Sequence, residues 1–202
     1  MLNFGMKAGR EFLHDSLGEG KTKVDFARLE YEPFDKAVAE AKKKNEQEGK
    51  DPTNPEKELS KDLLLALKEK LGLEGKENSD SLTFYSARDT VLQKFHGVDA
   101  WFEKVTDEGR VVSVTIDLTT NVEDAKLGNI NKADIIIVNT EDKSILGKED
   151  KVGRDNGGDS VVFYASVGDP EEKDYVGWVD EIAILISQVF KEKEANLLKK
   201  AA

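Results

Sequence analysis

Cysteine is absent from the 202-residue sequence, which excludes disulfides, zinc-thiolate sites and thiol nucleophiles together. Histidine is scarce. His14 and His96 are the only two, too few for a multi-histidine metal site. No run of about 18 or more apolar residues occurs, so no transmembrane helix is expected. The opening MLNFGMKAGREFLHDS also lacks the apolar core of a signal peptide. These absences lead to the expectation of a soluble, cytoplasmic protein with no membrane partner. Basic residues are outnumbered, with 30 Lys and Arg against 41 Asp and Glu and a formal net charge of -11. That balance weighs against bulk attraction of nucleic acid, because phosphate contacts come from clustered Lys and Arg. It leaves room for a site in which carboxylates hold a divalent cation and lysines line one groove.

A chain of this length supports one substantial core. Phe34, Ala37, Val38 and Ala41 recur at helical spacing, and Gln47 to Pro55 breaks the pattern with Gly49, Pro52 and Pro55. Asn54 as N-cap and Pro55 at the first helical position predict a second helix, striped by Leu59, Leu63, Leu67 and Leu71 and ended by Gly72. The polar stretch Glu74 to Ser81 is the expected boundary between a helical N-terminal extension over 1–78 and an α/β core over 79–202. Ser86-Ala87-Arg88-Asp89 has a loose capping-box form before Ala87, Val91, Leu92 and Phe95, and Gly97 suits the position just past that helix. Further on, Lys132 to Val138 reads as a buried strand and Val161 to Val167 as another. Asn139 to Ser160 is expected as a long loop. Within it, Gly153 to Gly158 lacks the Lys-Ser or Lys-Thr of a phosphate loop. From Asp174 a long, largely buried helix follows, with a Lys-rich end over 191–202 expected to fray. The predicted fold class is α+β with a mixed sheet.

Between Gly97 and Asn121 the pattern is sharpest. Two β-branched and aromatic runs flank Thr106-Asp107-Glu108-Gly109 and read as a β-hairpin. Alternation places Val98, Ala100 and Phe102 with Val112, Val114, Ile116 and Leu118 on a core face. Asp99, Trp101 and Glu103 with Ser113, Thr115, Asp117 and Thr119 fall on the other, the face assigned to chemistry. If Val105 pairs with Val111, Asp99 comes opposite Asp117. Facing carboxylates repel unless a proton, a basic group or a metal lies between them, so the pair is a candidate site. The alternative is two solvated strand residues in a shifted register. His96, beside Gly97, reads as a capping or packing residue.

A helix, a strand bearing Asp and a second strand bearing another acid, followed by a further strand, resembles the PD-(D/E)XK nuclease superfamily. Gly97-Val98-Asp99-Ala100 is similar to its first acidic strand. Ile116-Asp117-Leu118-Thr119 is similar to its second, with Thr119 where lysine is usual. The likeness spans roughly residues 80 to 140. It implies a restriction-endonuclease-like mixed central sheet flanked by helices, with the helical N-terminal part as an addition. It also implies that Asp99 and Asp117 hold Mg2+, or Mn2+ in its place, beside a phosphodiester of DNA or RNA. The superfamily relocates its lysine, and Lys126 or Lys132 is expected in that role. Asp89 matches the place of an extra acid in some members. Magnesium takes hard oxygen ligands and keeps several waters, so two carboxylates suit it. The alternative is a non-catalytic nuclease-like domain that serves as a structural module or binds a protein partner.

Overall fold

The hairpin predicted from strand alternation forms the centre of a six-stranded sheet. Its strands, β2 (Ala100–Val105) and β3 (Val111–Thr119), pair antiparallel with Val105 opposite Val111 and Ala100 opposite Ile116. Gly109 closes the turn at φ 75°, where a side chain would be strained, and its N–H donates to the Thr106 carbonyl at 2.8 Å. In this computed structural model the described residues are 26–73, 79–119, 133–140, 142, 144–153, 159–165 and 175–201.

Four further strands complete the sheet: β1 (Leu82–Ser86), β4 (Ile135–Asn139), β5 (Glu149–Gly153) and β6 (Asp159–Ala165). The order is β1-β2-β3-β4-β6-β5, with β3, β4 and β6 parallel and the other pairings antiparallel. Among the described residues four α-helices cover it: α1 (Phe34–Gln47), α2 (Glu58–Lys70), α3 (Val91–His96) and α4 (Tyr175–Ala201). The fold class is therefore α+β with a mixed sheet, as the sequence predicted. No helix of the described residues is long and apolar enough to cross a membrane.

The helices form two layers. On one face α2 brings Leu59, Leu63 and Leu67, and α4 brings Ile182, Ile186 and Phe190, onto Phe84, Phe102, Val114 and Ile137. On the other, Ala37 and Ala41 of α1 and Leu92 of α3 pack over Val98, Trp101, Ile136 and Val162. Small residues spaced four apart let α1 sit close to the sheet. Both helices of the expected N-terminal extension thus lie against the sheet. Residues 74–78, where the expected boundary falls, lie outside the described ones.

Several predicted details are corrected. The helix expected from Asn54 begins at Glu58 instead, because Asp51 holds a turn here: its Oδ1 accepts from the Thr53 N–H at 2.8 Å and the Thr53 hydroxyl at 2.7 Å. Ser86 ends a strand rather than capping a helix, and Thr90 is the cap, accepting from the Gln93 N–H. Glu149–Gly153, expected within a long loop, is an edge strand. Helix α4 continues to Ala201, where fraying was expected. Val98 joins the α1 and α3 side rather than the Phe102 side, because regular pairing of β2 starts only at Ala100.

Two tyrosine hydroxyls tie elements together. Tyr175 on α4 donates to Asp62 Oδ2 on α2 at 3.0 Å, and burial, reinforced by Asp62, pushes its pKa upward. Tyr164 on β6 donates to Asp150 Oδ2 on β5 at 3.1 Å and is raised by the same two causes. Each phenol holds its proton more tightly folded than unfolded, so stability present at neutral pH is lost as pH rises past the unfolded tyrosine value of about 10. Denaturant midpoints across that range are expected to fall less steeply for Tyr175→Phe than for wild type. Parallel declines would contradict the assignment.

Candidate functional site

Asp99 lies in the short connection between α3 and β2, and local structure fixes it. Gly97, in the left-handed conformation at φ 59°, ends α3 and turns the chain toward the sheet. The Asp99 N–H donates to the Ile116 carbonyl at 2.9 Å, and its carboxylate Oδ2 accepts from the Leu118 N–H at 2.9 Å. Asp99 therefore grips β3 on either side of Asp117. This is the neighbourhood predicted from the register, reached by a different route, since the carboxylate takes the place of a ladder hydrogen bond. The other oxygen, Oδ1, accepts from Gln93 Nε2 at 2.7 Å. Gln93 Oε1 in turn accepts from the Asp89 N–H at 2.9 Å.

Asp117 is half-buried on β3, aligned with Ile136 of the neighbouring parallel strand. Thr119, in the position where the resembled superfamily has lysine, is aligned with Val138. Lys126 and Lys132 lie outside the described residues. Asp89 is in the turn before α3, at φ 56°, a conformation that costs a non-glycine residue about 1 kcal/mol or more. Lys44 of α1 braces this turn by donating to the carbonyls of Arg88 at 3.0 Å and Asp89 at 3.3 Å, and burial lowers the Lys44 pKa. Asn45 adds a second brace, donating to the Ser86 carbonyl at 2.8 Å.

The hairpin face assigned to chemistry is covered over most of its length. Trp101 is 1% exposed and Glu103 9%, both beneath α1, because the sheet carries helices on both sides. Glu103 is a buried carboxylate with partners. Its Oε1 accepts from Trp101 Nε1 at 3.0 Å, and its Oε2 pairs with the Lys42 ammonium at 2.6 Å. Lys42 also sits 5.2 Å above the ring of Tyr85, which stacks on Trp101. His96 is fully buried and packs as predicted, with Nε2 2.9 Å from the Glu32 carbonyl and the rings of Tyr31 and Phe34 beside it.

A second polar cluster closes the start of β4. Asp134 Oδ2 accepts from the Thr115 N–H at 2.8 Å and the Thr115 hydroxyl at 2.9 Å, and pairs with Lys193 of α4 at 2.6 Å. Lys193 also donates to the Ser113 carbonyl at 2.8 Å. These residues clamp α4 to the junction of β3 and β4, a role that nothing in their sequence spacing announced.

Gln93 is the site residue that sequence reasoning missed. Its only signal is its place six residues before Asp99, at a polar position of a short amphipathic helix. Among the described residues no three acidic or histidine side chains gather as a metal-binding group. The hydrogen bonds to Asp99 each take one acceptor site of an oxygen that has two. Compared with protein-family models, with curated proteins and with solved structures, the chain matches none.

Proposed function

We propose that Asp99 and Asp117 form the metal-holding pair of a nuclease-like domain that hydrolyses phosphodiester bonds of DNA or RNA. The observation that carries this reading is the grip of Asp99 on Ile116 and Leu118, which sets one carboxylate-bearing residue against the backbone around another. The position supports it as well. Both acids lie toward the carboxyl end of β3, the first of three parallel strands, and open sheets bind ligands beyond the carboxyl ends of such strands. The restriction-endonuclease-like arrangement is supported by the order of elements: an antiparallel trio β1-β2-β3, then a parallel β4, with helices on both faces.

In this reading Asp99 and Asp117 would hold Mg2+ or Mn2+, which would supply water activation and offset of negative charge on the phosphate. Thr119 supplies a hydroxyl for hydrogen bonding and no positive charge. The lysine role therefore passes to Lys126 or Lys132. The protein's own contribution at Asp99 is orientation, with the Leu118 N–H and the Gln93 amide fixing the carboxylate from two elements.

One observation favours a second reading. Both oxygens of Asp99 already accept from neutral N–H donors, as a residue that only joins α3 to β3 would. A non-catalytic module, structural or serving a protein partner, is the reading that fits this. Incubation of the wild-type protein with end-labelled single-stranded and double-stranded DNA and RNA separates the two. Cleavage in magnesium or manganese that stops on chelation is the expected result. Intact substrates in both metals would favour the non-catalytic module.

A further inference from the structure

We propose that Gln93 is the positioning residue of the metal site, setting the Asp99 carboxylate for its cation; the inference rests on the reading of Asp99 and Asp117 as a metal-holding pair. A glutamine amide is two-ended, and both ends are assigned here. Its oxygen faces the Asp89 N–H at 2.9 Å, which leaves the NH2 group to face Asp99 Oδ1 at 2.7 Å. Reversal would set a donor against the Asp89 N–H and an acceptor against a carboxylate, so the amide has one favourable orientation.

The anchor of that amide is itself held. Asp89 adopts a left-handed backbone, and Lys44 donates to the carbonyls on both sides of the Arg88–Asp89 junction. From α1 the chain of contacts runs through the turn to Gln93 and ends on Asp99. The Leu118 N–H meets the second oxygen from β3. A carboxylate fixed at both oxygens by two separate elements loses little freedom when it takes a ligand, and this preorganisation is what outer partners of metal ligands provide. Such partners typically contribute about 10–100-fold in metal affinity. A residue that merely filled space between α3 and β3 needs neither the fixed amide direction nor the braced turn.

Calorimetric titration of Mg2+ into Gln93→Leu, Asp99→Asn and the double variant tests this, with thermal melts run alongside. The expected result is about a 10–100-fold loss of affinity in Gln93→Leu with an unchanged melt, and no saturable heat in Asp99→Asn or the double variant. Wild-type affinity in Gln93→Leu, or saturable heat retained in Asp99→Asn, would overturn the assignment. A measurement on the wild type guards against a variant that fails to fold. Paramagnetic Mn2+ is expected to broaden the Gln93 side-chain amide and Leu118 backbone amide resonances before others. Broadening of Leu118 that leaves the Gln93 amide sharp would overturn the role of Gln93 alone, whereas Mn2+ binding that leaves both sharp, or no binding at all, would remove the metal site and Gln93's role with it.

Discussion

Asp134→Ala is expected to lower the free energy of unfolding by about 3–5 kcal/mol, among the largest effects of any single polar substitution in this chain. Asp134 is 4% exposed, and its Oδ2 receives two donors from Thr115 and the ammonium of Lys193. Removing the carboxylate leaves the Thr115 N–H without that acceptor in a buried place, and leaves the Lys193 charge without its counter-ion. Lys193 is about one-third exposed and regains some hydration, which keeps the loss below that of a fully enclosed pair. The residue also sits where several elements meet. Asp134 immediately precedes β4, and its main chain accepts from the Val161 N–H and donates to the Thr115 carbonyl. Three strands and α4 therefore meet at one residue. Urea unfolding followed by circular dichroism measures the loss. Asp134→Asn, which keeps the shape, is expected to lose less. A midpoint unchanged in both variants would show that the cluster contributes nothing to stability.

Asp117→Asn is expected to abolish metal-dependent cleavage while the protein stays folded. The substitution keeps the size and a carbonyl oxygen of the side chain and removes its charge. A bound cation stabilises developing phosphate charge by several kcal/mol, which corresponds to about 10²–10⁴-fold in rate. Loss of one of two carboxylate ligands forfeits most of that. Cleavage of a fluorescent oligonucleotide, followed beside a thermal melt, checks both halves of the expectation. Wild-type cleavage rates in the variant would transfer the chemistry to other residues.

The hairpin was legible in the sequence because its two requirements are local. Val111 to Leu118 alternates β-branched and polar residues, and Gly109 supplies the positive φ of the turn, so register follows by counting. The parallel strand at Ile135 and the helix carrying Ile182 and Ile186 were legible for a related reason, since an unbroken apolar run demands burial on two sides. Strand β1 carries a weaker signal, the alternating burial of Leu82, Phe84 and Ser86 over five residues. Strand β5 left almost none, because an edge strand needs only hydrogen bonds to β6.

Apart from Val98 the assignment of faces held, and what it could not give was the exposure of the polar one. Alternation separates two faces of a strand but does not say that the polar one meets water. Trp101, Glu103 and Thr115 are buried with their polar atoms met: Trp101 donates to Glu103, Lys42 of α1 pairs with Glu103, and Thr115 donates to Asp134, which pairs with Lys193 of α4. The nearness of Asp99 and Asp117 followed from counting. The direction of the Asp99 carboxylate did not, since it depends on Gln93 and on the break in pairing before Ala100.

A cation held by Asp99, just before β2, and Asp117 of β3 is the centre of the proposed function, and calorimetry reaches it without any substrate. Mg2+ and Mn2+ titrated into the wild type are expected to give a saturable heat, and the same titrations into Asp117→Asn are expected to give only the heat of dilution. Indistinguishable isotherms for the two proteins, or no binding heat in the wild type, would contradict the metal site.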